Sequence, residues 1–173
     1  MAITPRSGLD GALDRLALVD AAATVAALDR QVQELTLDVC RDCGSRADHQ
    51  VAAIEAFVVG RPYRREPADM LRPALQTARL GGDCDDLTLL CLAMLRAVSL
   101  DCVPQLMVTA DGNAFHIRAA VYLPPLAPAY LYAIDPVRFS EAEWALVNIP
   151  VEQWKLDPSR LQSLAVVLHG LVR

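Results

Sequence analysis

This 173-residue chain is poor in several things, and each shortage narrows what it can be. It has three histidines, His49, His116 and His169, so any histidine-dependent chemistry has few places to reside. It has 16 Lys and Arg against 21 Asp and Glu, a net charge of −5. A basic stripe for nucleic acid or an anionic membrane surface is therefore not expected. No apolar run approaches the roughly 20 residues a membrane span needs. The greasiest stretches are cut by Arg96 or by Pro124, Pro125 and Pro128. The opening MAITPRSGLDGALDR has no apolar h-region, so no secretory signal is expected. The five cysteines are odd in number and show no disulfide framework spacing, which points to a reduced, cytoplasmic protein.

What is present is a globular composition, 54% hydrophobic and 21% charged, of a length suited to one domain over residues 1–173. From Leu13 to about Arg41 apolar residues recur at helical spacing. A second helix, capped by Ser45 or Asp48, runs through Val51, Ile54 and Phe57 to Gly60, a suitable C′ residue. Prolines 62, 67 and 73 make the following segment an irregular loop. A third helix carries Leu87, Leu90, Cys91, Met94, Leu95 and Val98 on one buried face.

The period then shortens to that of strands. CVPQLMVTA, AFHIRAAVYL and AYLYAIDPV each read as a strand, with Asp111–Asn113 as a hairpin turn between the first two. Asp157 and Pro158 form an N-cap and N1 pair that opens a last helix over about 158–172. Helices followed by an antiparallel sheet make the fold class α+β.

The chemistry concentrates at GGDCDD, residues 81–86. Asp83 is a candidate N-cap, which puts Cys84 in the first turn of the third helix, where backbone N–H groups and the helix dipole favour a thiolate. The flanking carboxylates work against that thiolate, so a histidine partner is required. His49 lies near the start of an earlier helix and His169 near the chain end, whereas His116 sits on the strand after the hairpin. Asp135 ends the next strand, and adjacent antiparallel strands can set it beside His116 to hold the imidazole. The backbone N–H of Cys84 is a candidate oxyanion donor, and Gly81 and Gly82 permit close approach of a substrate.

Together, GGDCDDLTLLCLAMLRAVSLDCVPQLMV, FHIRAAV and YAIDPV resemble the transglutaminase-like cysteine enzyme superfamily, whose fold is papain-like. The upstream AIEAFVVGRPYRREPADMLRPALQTARL resembles the version encoded in tailed phages and prophages. The similarity spans about Leu18 to Val137. It departs from the family in IRAAV after His116, and in Tyr130 and Tyr132, where a tryptophan often precedes the Asp-Pro pair.

Carried over by position, the resemblance implies Cys84 as nucleophile, His116 as base and Asp135 as its orienting acid, with Gln76 and Gly82 near the substrate loop. It implies N-terminal helices packed on a small antiparallel sheet, and attack on a peptide or side-chain amide through a thioester. Water as acceptor makes a protease or amidase, and an amine makes a transglutaminase. A different class of reading is a phage-type accessory or structural protein that keeps the fold without turnover. No cofactor or metal is expected, and the partner is a protein or peptide substrate. The apolar last helix is a candidate face for a homo-oligomer or a partner protein.

Cys40 and Cys43 with His49 suggest a zinc site, but no fourth ligand is evident in the sequence. Cys91 and Cys102 read as core. Arg61, Arg64 and Arg65 read as a solvated loop, or as a patch for an acidic partner.

Overall fold

The computed structural model describes residues 8–65, 70–109, 111–112, 114–123, 130–134 and 144–146. Five helices come first: α1 (Gly8–Ala26), α2 (Arg30–Val39), α3 (Ala47–Val59), α4 (Ala74–Leu80) and α5 (Cys84–Ala97). Four strands follow: β1 (Cys102–Thr109), β2 (Phe115–Leu123), β3 (Tyr130–Ile134) and β4 (Trp144–Leu146). They form one antiparallel sheet in the order β3-β2-β1-β4. The α+β order expected from the sequence is the one observed.

The helical stretch from Leu13 to Arg41 is two helices rather than one. Asp29 adopts extended backbone and accepts a hydrogen bond from the Gln31 amide at 2.7 Å, so it starts α2 as an N-cap. Leu28 lies in the break and is 77% exposed. At α3 the N-cap is Arg46, without a side-chain cap bond, and Asp48 instead sits in the first turn in an ion pair with Arg46. Gly60 serves as the C-cap of α3. Part of the segment read as a loop before Cys84 is helical: α4 begins after Pro73, which occupies its N-cap.

The helix expected to bury one face buries nearly all of itself. Leu87, Leu89, Leu90, Leu92, Met94 and Leu95 are each at most 1% exposed, because α5 packs against α1, α3 and α4 as well as β2. Each such side chain contributes about 1.5–3 kcal/mol of transfer free energy, which fixes α5 as the axis on which its first turn is carried.

In the sheet, Met107 on β1 stands opposite His116 on β2, and Ala119 on β2 stands opposite Ile134 on β3. Pro104 is tolerated within β1 because β4 pairs only with Met107, Val108 and Thr109. The turn between β1 and β2 contains Gly112 at φ +71, whose N–H bonds to the Thr109 carbonyl at 2.8 Å. The expected last helix, about 158–172, lies outside the described residues, as does Asp135.

Candidate active site

The first turn of α5 is built by a capping box. The Asp83 carboxylate accepts from the Asp85 and Asp86 amides at 3.0 and 3.2 Å, and the Asp86 carboxylate in turn accepts from the Asp83 amide at 3.4 Å. The cap engages those two amides and not that of Cys84, the first helical residue. Cys84 is half-buried, with Sγ 3.4 Å from Asp85 Oδ1. Burial first, then the charge of Asp85, push its thiol well above the ordinary range, and the backbone N–H of Ile117 opposes them. The doubt raised by the three carboxylates in the sequence therefore has a structural basis.

Geometry ties this turn to β2 at Ile117. Ile117 follows His116 on β2, and one turn along α5 the Thr88 hydroxyl donates to the Ile117 carbonyl at 2.9 Å. Both Thr88 and His116 are buried, at 0% and 2% exposure. The start of α5 is thus fastened to β2 beside His116, from opposite ends of the sequence motif.

Around this point the chain folds back on itself. Tyr63 forms a parallel bridge with Gly82: the Arg64 amide bonds to the Gly82 carbonyl at 2.9 Å, and the Gly82 amide to the Pro62 carbonyl at 3.2 Å. Gly82 is buried against Asp86, whose Cβ lies 2.5 Å from where a Gly82 Cβ would stand. Gly81 has φ +76, and a Cβ there would collide with the Pro62 carbonyl oxygen. Both glycines are therefore needed for close backbone packing behind the thiol.

Two arginines serve the acidic ring, and the sequence offered no sign of either role. Arg15 on α1 forms a half-buried ion pair with Asp85, and its Nη2 donates to the Met70 carbonyl at 3.1 Å. The Arg72 amide donates to Asp86 Oδ1 at 2.6 Å, while its guanidinium bonds the Gly81 carbonyl. Asp86 is fully buried, and that burial pushes its carboxyl up to about 6.

Other sequence candidates fall elsewhere. Gln76 is exposed on α4, with no hydrogen bond to the Cys84 turn among the described residues. Cys43 Sγ lies 3.4 Å from the His49 carbonyl and Cys40 Sγ 4.0 Å from that of Gln50. Cys91 and Cys102 are buried in the core as expected, and all five cysteines are free.

No family model matches the chain, and no curated protein matches it. Solved structures do. The fold is similar to that of LapG. The structure of Legionella pneumophila LapG aligns at TM-score 0.57 and 14% identity, covering 88% of this chain and 97% of LapG. EGTA-treated LapG gives 0.57 and 13% with the same coverage. Calcium-bound LapG gives 0.50 and 15%, covering 75% and 81%. The likeness to LapG is one of fold, and it fits the papain/transglutaminase-like architecture expected from the motif.

Proposed function

We propose that the protein is a cysteine hydrolase acting on peptide or side-chain amides, with Cys84 as nucleophile and His116 as base. The observation that carries this reading is the buried Thr88–Ile117 bond, which fastens the helix that begins with Cys84 to the strand beside the buried His116. The fold shared with LapG, a cysteine protease, supports it at the level of enzyme class. We include Asp135 as the orienting acid, because β3 ends at Ile134, opposite Ala119 on the strand that carries His116.

The local electrostatics favour a protonated thiol at rest, so the proton leaves during attack and not before it. Cys84 Sγ–H gives its proton to the imidazole as the Sγ–C bond forms, and the carbonyl oxygen becomes an oxyanion facing the Cys84 amide. Collapse breaks the C–N bond, and His116 returns the proton to the departing amine. Water, deprotonated by the same histidine, then hydrolyses the thioester. Hydrolysis is preferred to amine transfer because it needs no dedicated amine site. The reading includes a cytoplasmic location, consistent with five free cysteines.

The test is a pool of peptides derived from a cell lysate, incubated with the protein and read by mass spectrometry for new termini. Termini made by the wild type and lost in both Cys84→Ala and His116→Ala support the proposal. An unchanged pool sinks it in favour of the second reading, a phage-type accessory protein without turnover. One observation favours that alternative: burial and Asp85 together hold the thiol in its unreactive form.

With Arg15 in place, calcium finds few free carboxylate oxygens at this site. Asp83 Oδ1 is taken by two amides, Asp86 by the Arg72 and Asp83 amides, and Asp85 Oδ2 by Arg15. Calcium takes six to eight oxygens, and a thiol is not among its preferred ligands. A divalent ion sharing Asp85 with a guanidinium would also be repelled at short range. No step of the proposed reaction passes through a metal.

A further inference from the structure

Among the described residues, the side chains whose ligand atoms converge closely enough for a cation are Asp83, Cys84 and Asp85, within 4.8 Å of one another. A cationic side chain, Arg15, already meets one of them, Asp85. We propose that Arg15 is the resident cation of this site, bridging Asp85 on α5 to the Met70 carbonyl as a divalent metal would. The inference concerns the site read above as catalytic, but it turns on cation binding and not on turnover.

Three observations carry it. Arg15 reaches the site from α1, 70 residues away in sequence, so the contact is made by packing and not by a local turn. Two of its acceptors among the described residues are a carboxylate and a backbone carbonyl on separate segments, the oxygen types that calcium takes when it clips a loop to a helix. The pair is also sheltered, with Arg15 and Asp85 side chains 18% and 14% exposed, so it is screened less than a surface ion pair. A guanidinium tethered to α1 is present at any calcium concentration. The segment before α4 is thereby held to the nucleophile turn without a metal.

The experiment is calcium titration by calorimetry, with thermal unfolding in calcium chloride or EGTA, on wild type, Arg15→Gln and Arg15→Lys. Wild type and Arg15→Lys are expected to give no binding heat and a Tm change below about 1 °C. Arg15→Gln is expected to bind about one equivalent and gain roughly 3 °C or more in calcium. Stoichiometric calcium binding to wild type or Arg15→Lys overturns the proposal, as does a folded Arg15→Gln indifferent to calcium. If Arg15→Gln folds only with calcium, the proposal is supported. If it folds in neither condition, the other two titrations decide: binding to either overturns it and binding to neither supports it. Calorimetry needs no substrate, so these outcomes stand apart from success or failure of the hydrolase assay.

Discussion

Thr88 Oγ1 lies 2.9 Å from the carbonyl oxygen of Ile117, a buried bond joining α5 to β2 one turn past Cys84 and one residue past His116. It fixes the helix start against the strand beside His116. A hydroxyl with 0% exposure has no water to exchange with, so losing this bond leaves the carbonyl side uncompensated. Thr88→Val, nearly the same shape, should cost about 1–2 kcal/mol. Urea unfolding of the two proteins checks this, and coincident midpoints would refute it.

Gly81 links α4 to the cap of α5 with φ +76, and the Pro62 carbonyl occupies the space a side chain would need. Gly81→Ala combines left-handed strain with a backbone collision that no rotamer can relieve. The expected loss is about 1–3 kcal/mol from conformation alone, with the collision added. Thermal unfolding reads it directly, and a Tm equal to wild type would mean that the 62–64 segment does not pack on Gly81 in solution.

Asp86 gives a pH dependence whose sign is defined. Its carboxyl is raised by burial from 3.8 to about 6, so the folded state binds a proton more readily than the unfolded chain. The stabilisation is complete below about 4 and is lost as pH rises through about 6. Asp83, raised by burial and by Asp85, acts in the same direction. Stability measured from pH 4 to 7 should therefore fall less in Asp86→Asn than in wild type. Parallel curves for the two proteins would contradict the assignment.

Burial and the neighbouring acids both push the Cys84 thiol upward. After burial, Asp85 is the largest influence raising the thiol, so Asp85→Asn should speed alkylation of Cys84 by iodoacetamide at pH 8. Cys43, half-buried and distant in sequence, serves as the internal standard. Peptide mapping should show the Cys84 to Cys43 labelling ratio rise several-fold in the variant. An unchanged ratio would remove Asp85 as a control on the Cys84 thiol.

Much of this site was legible in the sequence. Asp83 as a cap and Cys84 in the first helical turn follow from residues adjacent in the chain, and the strands on either side of Asp111 and Gly112 follow from period and turn chemistry. The break at Leu28 was obscured because apolar spacing continues across it, and only the Asp29 cap marks the boundary. The full burial of α5 was missed because periodicity reports a helix with one covered side, and α5 is covered on several. β4 was not expected, being three residues long.

The features encoded along the chain are local: caps, turns, the helix that presents the thiol, and the strand that carries His116. These depend on groups a few residues apart, so the chain needs no fold to specify them. Packing, by contrast, chooses which distant groups share the Cys84 turn. Ile117 and Thr88 tie it to β2, and the 62–64 segment backs it. Arg15, brought across from α1, supplies a positive charge to a ring of acids that the sequence presents as unopposed. Such contacts arise from how buried surfaces pack, and no spacing along the chain encodes them.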